Sequence, residues 1–75
     1  MYRYEVFEMR TVFASRKPYG IVCKEKRNGG WVPVAVAAPC SGDREAVSRL
    51  AGTCTARRLP PERLPEAVAD FMEGR

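Results

Sequence analysis

Asn28-Gly29 lies between two apolar, β-rich runs at residues 19–27 and 30–38. This is the strongest short-range signal for a two-residue hairpin, because both turn positions need a left-handed backbone that Asn and Gly tolerate. Such a turn pairs Arg27 with Gly30, and hence Cys23 with Val34, Ile21 with Val36 and Tyr19 with Ala38. All of these pairs lie on one face, and all but the first are apolar. The opposite face receives Val22 with Ala35, Lys24 with Pro33 and Lys26 with Trp31. One more loop residue would set Lys24 opposite Val34 and mix the faces, so turn chemistry and hydrophobic pattern agree on one register.

The rest of the chain is arranged around this hairpin. Residues 2–14 read as a first strand whose alternation changes phase: Tyr2, Tyr4 and Val6 share one parity, Phe7, Met9, Thr11 and Phe13 the other. A β-bulge near Val6-Phe7 would let both sets face one core. Ser15-Arg16-Lys17-Pro18 is a polar connection. Pro33 cannot donate to a ladder, so the third strand is expected at an edge or with that missing donor pointing outward, and a 1-2-3 meander with the strand at 19–27 in the middle satisfies this.

Beyond Pro39, Ser41 is the expected N-cap of a helix over residues 42–54, with Asp43 and Glu45 in its first turn. Val47, Leu50, Ala51 and Cys54 form its apolar face, and Gly52 weakens or shortens its last turn. Residues 55–58 connect to a tight turn at 59–63. Pro65 then opens a second helix with a Leu64/Ala67/Val68/Phe71/Met72 stripe, ended by Gly74. The expected fold is a single α+β domain over residues 1–75, β-β-β-α-α. Its helices cover the Tyr19/Ile21/Cys23/Val34/Val36 face and leave the other face open.

Seventy-five residues bury only about 60% of the surface exposed by the unfolded chain, so one modest core is all this length supports. No apolar run approaches the roughly 18 residues of a membrane span. Met1-Tyr2-Arg3-Tyr4-Glu5 lacks the layout of a secretory signal, and a cytoplasmic location is expected. Cys23, Cys40 and Cys54 are too widely spaced for a disulfide scaffold and read as free thiols. The net charge of +4 resides wholly in residues 1–39, mainly at Arg16, Lys17, Lys24, Lys26 and Arg27.

Catalytic constellations are poorly represented. The chain has no histidine, which removes Cys-His and Ser-His nucleophiles. Cys40 precedes a helix start, where a dipole can lower a thiol pKa, but a corner-filling role is the simpler reading. Three scattered cysteines do not match a zinc site. Glu62, Glu66, Asp70 and Glu73 mark the solvated side of the last helix. Asn28-Gly29-Gly30 joins two strands and does not lead into a helix, as a phosphate loop would. No enzyme, cofactor or metal is expected.

Binding is the better expectation. The outer sheet face, with Val22, Lys24, Lys26, Trp31 and Ala35, and Ala37 beyond them, is expected to meet a protein partner, a weak homodimer being one specific form. The alternative is RNA or DNA bound through Arg16, Lys17, Lys24, Lys26 and Arg27 with stacking on Trp31. The plainest reading is that the Lys26 stem packs on Trp31 and merely solubilises this face.

Tyr19-Gly20-Ile21, and Leu59-Pro60-Pro61-Glu62 with Leu64, Val68, Asp70 and Phe71, resemble a family of small uncharacterised proteins of Gram-positive, often spore-forming, bacteria. The likeness covers most of the chain from Tyr19 onward. Arg63 stands where that family's pattern often carries an imidazole. The resemblance implies a bacterial cytoplasmic setting and no particular activity.

Overall fold

The computed structural model describes residues 1–9 and 18–73. Three antiparallel strands, β1 (Tyr2–Glu8), β2 (Tyr19–Arg27) and β3 (Gly30–Ser41), form one sheet of order β1-β2-β3. Helix α1 (Arg44–Ala56), a 3₁₀ turn at Pro61–Arg63 and helix α2 (Leu64–Met72) follow. This is the expected β-β-β-α-α arrangement, with the hairpin's first strand central and its second at an edge.

The turn itself forms as its residues dictate. Asn28 and Gly29 have φ of 48° and 81°, and the ladder climbs through Arg27–Gly30, Lys26–Trp31 and Lys24–Pro33 in the expected register. At Pro33 the register changes. Cys23 pairs with Ala35 in place of Val34, Val22 with Val36, and Ile21 with Ala37. Val34 is thus an extra residue on β3, a bulge next to Pro33. The expected inward set on this strand is therefore corrected. Val34 and Val36 are exposed, at 37% and 64%, while Ala35 and Ala37 pack against the core. A second irregularity lies between Tyr19 and Ile21, where Tyr19 pairs with Ser41 and not with Ala38.

Strand β1 runs in unbroken register from Tyr2–Glu25 to Glu8–Tyr19, so the bulge expected near Val6-Phe7 does not form. Tyr2, Tyr4 and Val6 face the helices. Phe7 lies over Gly20, where an added Cβ would come within 2.7 Å of both the Phe7 ring and the Ala37 carbonyl. Only a residue without a side chain fits beneath that ring. The Met9 N–H donates to the Pro18 carbonyl at 2.8 Å. The rest of the expected first strand, Thr11 and Phe13 included, and the connection bearing Arg16 and Lys17 lie outside the described residues, as does Gly74.

Helix α1 is capped by Asp43, whose side chain accepts from the Ala46 N–H. Ser41, the expected cap, instead accepts from the Asp43 N–H and shapes the approach. Gly52 does not shorten the helix, which runs to Ala56. It ends in a Schellman motif: the Arg58 N–H bonds the Thr55 carbonyl and the Leu59 N–H bonds the Cys54 carbonyl, each at 3.1 Å. Arg58 takes the left-handed position, φ 53°, where glycine is the usual occupant.

The 3₁₀ turn leads directly into α2. The Pro61 carbonyl accepts from the Leu64 N–H, a tighter bond that does not call on Pro65, four residues on, for an N–H it lacks. Along α2, Leu64 and Val68 are buried and Ala67 and Phe71 half-buried, but Met72 is exposed.

Helix α1 packs on β1 and β2, and α2 on β3, both on the same sheet face as expected. Ile21, Cys23, Val47 and Leu64 are the largest fully enclosed side chains. The small Ala35 and Ala37 let Leu64 and Val68 approach the sheet closely. Tyr4 ties the layers together. Its hydroxyl donates to the Leu59 carbonyl at 2.6 Å, and its N–H, on the outer edge of β1, donates to Thr55 Oγ1 at 3.0 Å.

The register change fixes the order of two substitutions. Ile21→Ala should cost about 2–5 kcal/mol, the usual range for an enclosed aliphatic. Val36→Ser should cost less than about 1 kcal/mol, as on a surface. Urea denaturation measures both, and equal losses would contradict the bulge. Arg58→Gly relieves a left-handed conformation worth roughly 1–2 kcal/mol, against a glycine entropy cost of about 0.5–1 kcal/mol. It should raise the melting temperature by roughly 3–6 °C, measured by thermal denaturation; a fall would contradict strain at that residue.

Candidate interaction face

With both helices on one side, the sheet presents its other side to solvent. Alternation along β1 and β2 puts Arg3, Glu5 and Phe7, and Val22, Lys24 and Lys26, on this face. The bulge adds Val34 and Val36 beside Trp31 and Pro33. Of the residues expected here, Val22, Lys24, Lys26 and Trp31 are brought together. Ala35 is not: it faces the helices, as does Ala37, because the extra residue after Pro33 turns both over. The net effect is to exchange two alanines for two valines on the open face.

Charges on this face are largely organised among themselves. Glu5 accepts from Lys24 Nζ at 3.0 Å and pairs with Arg3 Nε at 2.8 Å. The Arg3 guanidinium lies 5.8 Å from the centroid of the Trp31 ring, within reach of a cation–π contact. That partner for Trp31 is Arg3, whereas the hairpin register alone suggests Lys26. At the turn, Arg27 pairs with Glu25. The Arg27 guanidinium holds the Glu25 carboxyl below the ordinary carboxylate range, and the same carboxylate raises the neighbouring Tyr2 phenol. Two of the five cations in the expected nucleic-acid set, Lys24 and Arg27, are thus paired with carboxylates. Lys26 is exposed, and Arg16 and Lys17 lie outside the described residues.

Arg3 and Glu5 escape a reading of the hairpin alone because no turn signal in the sequence fixes the register of β1 against β2 as Asn28-Gly29 fixes that of β3. Their alternation with Tyr2, Tyr4 and Val6 is the signal that points them outward.

Chemistry of the core is quiet. All three thiols are buried. Burial pushes the Cys23 and Cys54 thiols up and away from the thiolate form. Cys40 is buried four residues ahead of the first residue of α1. Among the described residues no group of three or more His, Cys, Asp or Glu side chains gathers as metal ligands would. Among these residues no helix is long and apolar enough to cross a membrane.

Comparison of the chain with family models, with curated proteins and with solved structures finds no match.

Burial also raises the Tyr4 phenol, reinforced by its contact with Cys23. A raised folded-state pKa adds stability that is complete below the unfolded value and lost as pH climbs past it. For the thiols that loss begins at about pH 8.5 and for Tyr4 at about pH 10. Unfolding free energy, measured in urea across pH 7–11, should therefore decline in two stages. Tyr4→Phe should lower stability at neutral pH by about 1–3 kcal/mol, through the orphaned Leu59 carbonyl, and make the second stage shallower, leaving only the part that the raised Tyr2 phenol contributes. An unchanged slope above pH 10 in that variant would refute the assignment.

Proposed function

We propose that this chain is a small non-catalytic binding module of the bacterial cytoplasm, whose open sheet face meets a protein partner. The observation that carries this reading is the exposure of Val34 and Val36 beside Trp31 and Val22, an apolar strip with no helix over it. A contiguous apolar patch of this kind costs solubility unless something covers it for part of the time. Association through the sheet's edges is disfavoured. The Tyr4 N–H on the β1 edge is already bonded to Thr55. The β3 edge is interrupted by Pro33, Pro39 and two register changes. Side chains on the face, and not backbone at an edge, are left to make the contact. Nucleic acid is the less favoured partner because Glu5 and Glu25 interrupt the cationic surface and neutralise much of it.

Self-association is the form open to direct measurement. Sedimentation velocity over a rising concentration series should show a reversible dimer for the native chain. Val36→Asp should weaken it by tenfold or more, a desolvated charge costing at least about 1.4 kcal/mol, while Ser48→Asp on the exposed side of α1 leaves it unchanged. If the native chain is monomeric, a photo-crosslinking residue at position 36 should give adducts that one at position 49 does not. Identical adducts from both positions would refute the reading.

A further inference from the structure

The open face continues past the β1 edge into a cleft of about 600 Å³, lined by Met1, Tyr2, Arg3, Trp31, Thr55 and Arg58. That volume is within the range of sites that hold a side chain or small ligand. Its walls are mainly apolar, and the two charged side chains that line it are both guanidinium. From this combination we infer that the cleft binds an acidic, apolar segment of the partner protein, an aliphatic side chain lying against Trp31 and an adjacent carboxylate reaching Arg58. The inference rests on the binding-module reading and specifies the chemistry of its partner.

Two independent observations support it. Arg58 makes no side-chain hydrogen bond or ion pair among the described residues, so its five donors are available to a carboxylate, the acceptor that a planar guanidinium fits best. Arg58 also occupies the left-handed position of the Schellman motif, φ 53°, where glycine would be less strained. Strain maintained at a cleft-lining cation is a feature of binding sites. Arg3 assists from the opposite wall, held in place by Glu5 and Trp31.

A phosphate backbone fits less well. It needs a track of free cations, whereas Arg3 is shared with Glu5, and the nearby Lys24 and Arg27 are paired with Glu5 and Glu25. The single free guanidinium beside an apolar wall matches one carboxylate next to one aliphatic group.

Trp31 is the only tryptophan in the chain, so its emission reports on the cleft directly. The probes are a short acetylated peptide alternating leucine and glutamate, the same peptide with lysine for glutamate, and oligothymidylate. The leucine–glutamate peptide should give a saturable change in Trp31 emission that weakens with salt, and the lysine peptide none. Arg58→Gly should reduce affinity by about tenfold, the size of one charge-assisted pair, and Arg58→Lys by less. Equal affinity in native protein and Arg58→Gly would overturn the inference. So would an emission change produced only by oligothymidylate, which would assign the cleft to nucleic acid, or the absence of any change. The Val36→Asp sedimentation and crosslinking results read the open face without involving the cleft. A Val36-dependent association together with no peptide response therefore sinks this inference alone.

Discussion

One extra residue in a strand organises this molecule. Val34, next to Pro33, is carried on β3 without a partner of its own on β2, so the register shifts by one. Everything beyond that point on β3 changes face. Ala35 and Ala37 turn toward the helices and Val36 toward solvent. Small residues on the inner side allow α2 to settle closely enough to enclose Leu64 and half-enclose Phe71. Large ones on the outer side create the apolar strip on which the proposed binding role rests. A single inserted residue thus governs both the closeness of the core and the character of the surface.

The two sheet edges are dealt with by different means. On β1, the last turn of α1 supplies Thr55, whose hydroxyl accepts from the strand's free N–H while donating to the Ala51 carbonyl at 2.9 Å. That contact and the Tyr4–Leu59 bond fasten the helix end to the strand on both sides of one residue. On β3, prolines and irregular pairing spoil the regular array that an incoming strand would require. A sheet of only three strands therefore keeps an open face while both of its edges are interrupted.

Much of this was legible in the residues. Asn28-Gly29 specifies the turn and the register as far as Lys24–Pro33. Val47, Ala51 and Cys54, and Leu64 and Val68, declare their helix faces by spacing. Beyond Pro33 strict alternation fails, because neither turn chemistry nor hydrophobic pattern marks Val34 as an extra residue. Arg58 escapes a sequence reading for a related reason. Helix α1 runs two residues beyond Cys54, through Gly52, because tertiary contacts of Val47, Ala51 and Cys54 outweigh a glycine's propensity cost, and this moves the capping position onto an arginine that no glycine signal marks. The cleft depends on that placement and on the β1–β2 register, neither of which periodicity alone supplies.

The contact between Phe7 and Gly20 bears on how this architecture could drift over time. The ring fills the space a Cβ would need, and the Ala37 carbonyl closes the other side. Positions 7 and 20 are thereby tied to each other although far apart in the chain: a bulkier residue at 20 becomes admissible only after the aromatic at 7 has been given up and the third strand has moved away. Distant descendants of this chain should hold that aromatic–glycine combination together or lose it together, which makes the pair a better guide for tracing ancestry than either residue alone.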